Sequence, residues 1–465
     1  MLGFLWPVLI IIALLAGGCA QTAHSESGLT PLPSLAAARN LATVSGRSTT
    51  DSVESTLLAS TPSPSTGPSS RSTGTPLTRP SATLPTPTSL PIRSATPSAI
   101  MPAPSLARLT FAYYVPDDPA SWWSLRAQID QLAFVAPQWV SIDACGNLSS
   151  RDDRTLVAFA HANGVKVVPT LPTISGWLNH RILTDPTTAQ RAIDQSVAYV
   201  VSQGYDGLDV DIEGVLPSDR AAFTNFAARL GQALHGNGKL FTMALPAKSF
   251  DTKTGWAGAA DYAALAPSLD HAIIMTYEYS GATTPPGSTA PQQWVDRVLA
   301  YTTSVIPPGK VLLGVALYGR DWNLTQGGRS RAVTYPQAAI TAETAGVTIA
   351  TDPTTRSGTF QYASPAGQQP PQPAPVLSFA HDIVTHLPSA CPIQPPTEPP
   401  PHFTPTPTAS GGLVQHEVWI ENAASVRARL DLAARYDIAG VAFWRLGQED
   451  PAAWPVIASW RAGRQ

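Results

Sequence analysis

Charged residues are scarce in this chain of 465 residues, and neither sign dominates. Lysine and arginine together number 29 against 32 aspartates and glutamates, which gives a net charge of −3. So few lysines and arginines provide neither a positive electrostatic field that would attract nucleic acid nor a polybasic patch that would bind a membrane surface. We therefore expect no nucleic-acid partner.

Metal-binding patterns are also missing. The sequence contains neither a His-Glu-x-x-His motif nor a Cys-x-x-Cys pair, and its nine histidines are scattered. Zinc proteases and structural zinc sites need such spacings. We expect neither a metal nor a cofactor.

Cysteine occurs three times, at Cys19, Cys145 and Cys391. Cys19 ends the apolar run "MLGFLWPVLIIIALLAGGC", which is typical of an export signal and resembles a bacterial lipoprotein signal. We expect residues 1–19 to be this signal, with lipid on Cys19 as a membrane anchor; the alternative is an uncleaved N-terminal anchor. Both interpretations place the remaining chain outside the cytoplasm, at the cell surface of a bacterium. There Cys145 and Cys391 either form one disulfide or remain two separate thiols.

Proline is abundant, with 46 residues, and much of it falls in two blocks. Residues 20–105 consist largely of Ser, Thr, Pro and Ala and contain no aromatic residue. Such a segment buries too little apolar surface to offset its chain entropy. We interpret it as a disordered, extended tether between the membrane and a folded body.

Strand-like and helix-like patterns alternate from Leu106 onward. Helical spacing runs from Pro186 to Gly204 and recurs from 218 to 236. The apolar residues predicted to share the buried face are Ile193, Val197, Val200 and Val201 in the first helix and Phe223, Phe226, Ala227, Leu230 and Leu234 in the second. The apolar runs predict eight strands, at 109–115, 138–143, 165–171, 207–213, 240–246, 271–277, 311–319 and 440–447. Eight strand–helix repeats favour a (β/α)8 TIM barrel, of the α/β class, over residues 106–465. The alternative, an open doubly wound sheet, is less consistent with this count and with the missing glycine-rich phosphate loop.

About 120 residues separate the seventh and eighth predicted strands, far more than an ordinary connection. Both ends of this segment show helix and strand patterns, whereas its middle is rich in proline. We predict a small α+β insertion domain at 329–422, interrupted by a Pro-rich loop without regular structure at 364–414.

Acidic residues alternate with apolar ones in "YDGLDVDIEG", residues 205–214. Successive side chains of a strand point to opposite faces, so Asp209, Asp211 and Glu213 share one face. In a barrel this face is interior, and Glu213 lies at the carboxyl end of the strand, where barrel enzymes carry out chemistry. Carboxylates about 7 Å apart along one face cannot all ionise, so one should retain a proton near neutral pH. A proton-holding Glu beside an Asp is what a general acid requires. Taken alone, however, such a string could also bind calcium or magnesium.

The stretch "DGLDVDIEG" resembles the D-G-x-D-x-D-x-E motif of family 18 glycoside hydrolases, the chitinase-like clan. "MTYE" at 275–278 is similar to this family's Met-x-Tyr motif, except that Glu278 stands where Asp is usual, and Trp444 matches its eighth-strand Trp. "LYGRDW" and "FWRLGQED" are similar to the spore-cortex and cell-wall lytic branch, whose members often carry LysM repeats. This chain contains no such repeat.

The resemblance implies a retaining, substrate-assisted mechanism on a polysaccharide that contains N-acetylhexosamine. Glu213 would be the acid and base, Asp211 would hold the 2-acetamido group, and Asp209 would support Asp211. Tyr277 would bond the acetamido carbonyl, and Trp444 would stack on the sugar. Three further residues are expected to line the sugar site: Tyr318, Met275 and Tyr113.

Two classes of function remain open at this point. The first is a glycosidase that cleaves chitin-like polymers or the glycan strand of peptidoglycan. We expect this enzyme to be a monomer. The second is a catalytically silent carbohydrate-binding lectin on the same barrel. Silent relatives typically lose the final Glu of the motif or the Asp before it, and this chain retains both, as Glu213 and Asp211. The sequence therefore favours the enzyme.

Overall fold

Eight parallel strands form the centre of the protein in the computed structural model, which describes residues 108–394, 396 and 411–463. The expected signal with Cys19 and the expected tether at 20–105 lie outside the described residues. The strands are Leu109–Tyr114, Phe134–Pro137, Lys166–Val167 with Thr170–Thr173, Gly207–Ile212, Leu240–Pro246, His271–Met275, Val311–Ala316 and Gly440–Trp444.

The third strand closes the sheet into a barrel. Its first half, Lys166–Val167, pairs with Phe134–Pro137, and its second half, Thr170–Thr173, pairs with Gly207–Ile212. The last strand, Gly440–Trp444, lies between the first and the seventh and pairs in parallel with both. Every barrel strand thus has a partner on each side, as the predicted (β/α)8 barrel requires.

Two strand predictions differ from the structure. The second barrel strand is Phe134–Pro137 rather than 138–143, and Val140–Ile142 belongs to a separate antiparallel sheet. The seventh strand ends at Ala316, because the chain after Leu317 pairs antiparallel with the insertion. Both stretches are apolar, so their sequence pattern does not separate barrel strands from adjoining ones.

Helices cover the outside of the barrel and begin at recognisable caps. Asp118 and Asp185 accept hydrogen bonds from the backbone N–H groups of Ala120 (3.0 Å) and Thr188 (2.8 Å), each with a proline next in the chain. The α-helices are Pro119–Gln128, Arg154–Ala162, Gly176–Thr184, Pro186–Ser202, Arg220–Gly236, Tyr262–Leu265, Gln292–Val305, Tyr335–Thr344, Ala423–Arg435 and Ala453–Arg461. Single turns of 3-10 helix occur at Ile129–Gln131, Pro217–Asp219, Ala266–Ser268 and Pro308–Lys310.

Apolar residues form two layers around the barrel strands. The outer layer, between strands and helices, contains the predicted helix face Phe223, Phe226, Ala227, Leu230 and Leu234. The inner layer lies within the barrel and includes Phe111, Tyr113 and Phe134. The strands are therefore buried on both faces, which leaves their carboxyl ends and the loops there as the place for a site.

A five-stranded antiparallel sheet is inserted between the seventh and eighth barrel strands. It packs with the helix Tyr335–Thr344 around Val333, Phe360, Val418 and Ile420. The sheet starts before residue 329, the expected boundary of the insertion. Its strands are Tyr318–Asn323, Arg331–Thr334, Ala350–Thr351, Gly358–Pro365 and Leu413–Ile420.

The Pro-rich segment was expected to be a loop without regular structure, and its described part differs. Residues 366–394, which we call the arm, contain the strand Ile383–His386. This strand pairs antiparallel with Leu148–Asp153, which also pairs with Val140–Ile142. A disulfide of 2.05 Å joins Cys391 of the arm to Cys145. Of the two alternatives, the cysteines therefore form one disulfide and are not separate thiols. Among residues 108–394, 396 and 411–463, no helix has the length and apolar character needed to cross a membrane.

Candidate active site

The strand Gly207–Ile212 places the three acidic residues as its alternation predicts. Asp209, Asp211 and Glu213 are all buried, with at most 5% of their surface exposed. The apolar residues of the opposite face lie in the layer beneath the helices: Leu208, Val210 and Ile212. The acids therefore form a column inside the barrel that ends at Glu213, just past the carboxyl end of the strand.

Asp209 lies at the bottom of this column, in register with threonines on both neighbouring strands. Thr170 Oγ1 donates to one carboxylate oxygen (3.1 Å) and Thr242 Oγ1 to the other (2.6 Å). Burial raises the pKa of Asp209 to about 6, although these hydrogen bonds act in the opposite direction. The two threonines thus fix the position of the Asp209 carboxyl group beneath Asp211.

Asp211 occupies the middle of the column, between two other carboxyl groups. Burial raises its pKa well above the usual range, and the charges of Glu213 and Asp209 raise it further. Its Oδ1 atom is buried and has no hydrogen-bond partner among the described residues. Asp211 therefore resists ionisation more than a free aspartate does, and it has one oxygen free to accept a bond.

Glu213 is held through its backbone, while its carboxyl group is left free. The backbone N–H of Glu213 donates to Thr173 O (2.7 Å), and its carbonyl accepts a bond from the Asn179 side chain. Its buried Oε2 has no hydrogen-bond partner in the described part of the chain. Burial, and secondarily the charge of Glu278, raises the pKa of Glu213 to about 7. This is the range in which a carboxyl group can both give and take a proton at neutral pH.

The chain turns away from the barrel immediately after Glu213. Gly214 has a φ of 70°, a left-handed backbone conformation that favours glycine. Space is also limited, because a Cβ atom at this position would lie 3.1 Å from Ile174 O and 3.3 Å from the Trp256 ring. A cavity of about 10 Å³ on this side of Glu213 is lined by Trp256 and Met275. It is too small for a sugar ring, so this cavity is not the sugar site.

Aromatic residues surround the open end of the barrel. Tyr277 and Tyr318 lie with ring centroids 6.4 Å apart, and Met275 and Trp444 pack against them. Tyr113 contacts the edge of Trp444, with centroids 5.0 Å apart. All five residues predicted to bind or line the site are thus in one cluster.

The hydroxyl groups of this cluster remain protonated. Burial raises the pKa of both Tyr113 and Tyr277 well above the usual range, and the charge of Asp211 adds to this effect in each. Both residues can therefore donate a hydrogen bond at any physiological pH. The Tyr113 hydroxyl has no partner among the described residues.

An ion pair beside the column was not predicted from the sequence. Arg320 donates to both carboxylate oxygens of Glu278, at 3.0 and 2.6 Å, and the Tyr318 hydroxyl donates to the same group. Glu278 has a left-handed backbone with a φ of 60°, which is uncommon for a residue with a side chain. Tyr318 and Arg320 alternate on the strand Tyr318–Asn323, so "LYGRDW" contained the signal that both side chains share one face.

Eight of the nine predicted site residues are among the described residues, and each lies in a barrel strand or within two residues of its end. The eight are Asp209, Asp211, Glu213, Met275, Tyr277, Tyr318, Trp444 and Tyr113. Cys19 lies outside the described residues. Sequence reasoning did not identify four positioning residues, because their contacts depend on how segments distant in sequence are placed side by side. These residues are Thr170, Thr242, Asn179 and Arg320.

Comparisons with known proteins agree with this arrangement. The family model "Glycosyl hydrolases family 18" matches residues 110–449. The chain is 25% identical over 352 residues to the uncharacterized glycosylase YvbX of Bacillus subtilis, covering 74% of this chain and 89% of that protein. It is 26% identical over 285 residues to the cortical fragment-lytic enzyme of the same organism, covering 60% of this chain and 56% of the relative's length.

Solved structures show the same fold. The spore cortex-lytic enzyme SleL of Bacillus megaterium superposes with a TM-score of 0.61 at 23% identity, covering 77% of this chain and 75% of that one. A chitinase from Chromobacterium violaceum superposes with a TM-score of 0.62 at 23% identity, covering 77% of this chain and 100% of that one. With the family model spanning the whole barrel, these findings show that the chain is a glycosidase belonging to glycosyl hydrolase family 18.

Proposed function

We propose that this glycosidase cleaves β-linked N-acetylhexosamine polymers, chitin-like or the glycan strand of peptidoglycan, by a retaining, substrate-assisted mechanism. The observation that supports this proposal is the state of the acidic column. Glu213 has a pKa of about 7 and a free carboxyl oxygen, whereas the carboxyl groups of Asp209 and Glu278 are engaged in hydrogen bonds.

Glu213 is the proposed proton donor. At neutral pH a substantial fraction of Glu213 carries a proton, which it gives to the oxygen of the scissile glycosidic bond. The bond from that oxygen to the anomeric carbon then breaks, and Glu213 is left as a carboxylate. The same group later takes a proton from the water that attacks the anomeric carbon.

No carboxylate among the described residues near Glu213 is suited to attack the sugar as a nucleophile. Burial and the charges of Glu213 and Asp209 raise the pKa of Asp211 well above its usual range, which opposes the charge that a nucleophile needs. Asp209 is buried beneath it and bonded to two threonines. Glu278 is bonded to Arg320 and Tyr318. A nucleophile supplied by the substrate resolves this difficulty.

The 2-acetamido group of the sugar is the nucleophile that we propose. Its carbonyl oxygen forms a bond to the anomeric carbon as the glycosidic bond breaks, which gives a cyclic oxazolinium ion. Asp211 accepts the N–H of this group at its free Oδ1, and the Tyr277 hydroxyl donates to the carbonyl oxygen. Water then attacks the anomeric carbon from the face that the leaving group vacated, opposite the acetamido oxygen, and breaks the ring bond; two inversions retain the configuration.

The experiment that tests this proposal compares substrates with and without the acetamido group. The full chain is incubated with chitin oligosaccharides, purified peptidoglycan and unsubstituted β-glucan oligosaccharides, and the reducing ends released are measured. We expect release from at least one acetamido-containing substrate and none from the glucan. Release from the glucan at a similar rate would contradict a nucleophile supplied by the substrate.

Two variants complete this experiment. Glu213→Gln removes the proton donor and should lower the rate by at least about 100-fold. Glu343→Gln, on the exposed surface of the helix Tyr335–Thr344, is the matched control and should leave the rate unchanged. Equal binding of substrate by the wild-type protein and Glu213→Gln, without release by either, would instead indicate a lectin.

We also propose that the protein acts outside the cytoplasm as a lipid-anchored monomer. The disulfide between Cys145 and Cys391 supports an oxidising compartment. Mass spectrometry of the mature protein, purified from the membrane fraction of its own cells, would test for lipid on Cys19. An unlipidated mature protein in that fraction would contradict the anchor.

A further inference from the structure

A second cavity, of about 260 Å³, lies between the arm and the loop that follows the first barrel strand. Its volume approaches the lower end of the range for pockets that bind small molecules. Its walls combine three aromatic rings with prolines, and its rim carries polar side chains. The aromatic residues are Tyr114, Trp122 and Phe379, and the polar ones are Asp117, Ser378 and His381.

This cavity is separate from the candidate active site. Tyr113 points into the barrel and contacts Trp444, whereas Tyr114, the next residue, belongs to the layer outside the strands. The first barrel strand therefore separates the cavity from the acidic column. Both lie toward the carboxyl ends of the strands, because Tyr114 is the last residue of its strand.

The arm that forms one wall is held at several points. His381 Nδ1 bonds the buried Asp153 carboxylate, and the backbone N–H of Asp382 donates to Thr155 Oγ1 (3.0 Å). Trp123 Nε1 donates to the backbone carbonyl of Leu377 (3.0 Å). Together with the paired strand Ile383–His386 and the disulfide, these contacts fix the wall before any ligand arrives.

The chemistry of the cavity fits a neutral, hydroxyl-bearing ring. Trp122 is buried, and its ring forms part of the cavity wall. The Arg126 guanidinium lies within 6 Å of the ring centroids of Trp122 and Phe379, which disfavours a cationic ligand there. Asp117 is paired with Arg151 (3.5 Å), so the rim presents little unbalanced charge.

We propose that this cavity is a second carbohydrate-binding site, which holds a sugar unit of the polymer away from the bond that is cleaved. Aromatic rings suit the apolar faces of a pyranose, and the polar side chains of the rim suit its hydroxyl groups. The inference rests on the proposed function, since the ligand is the same class of polymer. Such a site retains the enzyme on an insoluble substrate without taking part in the reaction.

Adsorption to insoluble polymer tests this site. In the full chain carrying Glu213→Gln to prevent cleavage, adsorption isotherms are measured on insoluble chitin and on purified peptidoglycan. Phe379→Ala removes an exposed aromatic wall and should weaken adsorption about three- to tenfold on the polymer that the protein cleaves. Ser378→Trp fills the cavity from an exposed position and should weaken adsorption similarly.

Leu387→Ala is the matched control, because Leu387 is 83% exposed on the same arm and does not line the cavity. Its adsorption should equal that of the parent protein, and the melting temperatures of all variants should agree. With Glu213 present, kcat/KM on a soluble chitin trisaccharide should be the same for all three arm variants.

Two outcomes would overturn the inference, and they are distinguishable. Unchanged adsorption of both Phe379→Ala and Ser378→Trp, in a protein that cleaves the soluble trisaccharide, overturns the second site alone. A wild-type protein that neither adsorbs to nor cleaves any N-acetylhexosamine compound overturns the proposed function and the second site with it.

Discussion

Replacing Glu213 by Gln should stabilise the protein at alkaline pH, although it removes the proposed proton donor. Glu213 has a pKa of about 7 in the folded protein and 4.5 as a free side chain. Each tenfold difference in proton affinity corresponds to 1.36 kcal/mol, so ionising this group in the folded state costs about 3 kcal/mol of stability. Gln cannot ionise and does not incur this cost.

The sign of the effect follows from proton binding. Below pH 4.5 Glu213 is protonated in both the folded and the unfolded state, and the two proteins should have similar stability. Between pH 4.5 and 7 the folded wild-type protein binds more protons than the unfolded one, so its stability falls as the pH rises. Above pH 7 the full cost of about 3 kcal/mol is present.

Denaturation by guanidinium chloride, followed by tryptophan fluorescence at pH 4.5 and pH 8, measures this difference. We expect Glu213→Gln to exceed the wild-type protein by about 3 kcal/mol in free energy of unfolding at pH 8, and by less than about 0.5 kcal/mol at pH 4.5. Glu343→Gln should match the wild-type protein at both pH values. If Glu213→Gln exceeded the wild-type protein in free energy of unfolding by the same amount at both pH values, or did not exceed it at pH 8, the reasoning would be refuted.

Three further predictions concern the same protein. The rate of hydrolysis should fall as the pH rises through about 7, because Glu213 loses the proton that it donates; a pH–rate profile that stays flat to pH 9 would contradict this role. Replacing both Cys145 and Cys391 by Ser opens a link across 246 residues and should lower the free energy of unfolding by up to about 5 kcal/mol; a reductant should then lower the melting temperature of the wild-type protein but not of the variant. Arg320→Met removes the cation that pairs with the partly buried Glu278 carboxylate, which then keeps only the Tyr318 hydroxyl, and should lower the free energy of unfolding by about 3 kcal/mol; adding Glu278→Gln should recover part of that loss in a double-mutant cycle.

The barrel and its acidic column could be predicted because their signals are local. The alternation of acids with Leu208, Val210 and Ile212 assigned each side chain to a face, and the structure confirms both faces. Helical spacing also identified the buried face of Arg220–Gly236. On Pro186–Ser202 the same reasoning placed Val201 on the buried face, but it is 45% exposed at the end of that helix.

The arm and the Glu278–Arg320 pair could not be predicted, because their partners are distant in sequence. Proline content indicated a loop at 364–414, yet Ile383–His386 finds a partner in Leu148–Asp153, more than 200 residues earlier. Arg320 approaches Glu278 because the chain leaves the seventh strand and turns into the insertion sheet. The spacing of apolar residues within one segment contains no information about which distant segment it pairs with.

The last barrel strand, Gly440–Trp444, has a consequence for biosynthesis. It separates two strands that the ribosome has made much earlier, Leu109–Tyr114 and Val311–Ala316. Until residue 444 has emerged, each of these strands has a row of backbone groups without a neighbour, and such rows pair readily with other chains. A nascent chain of this protein is therefore open to pairing with other chains from the synthesis of residue 114 to that of residue 444.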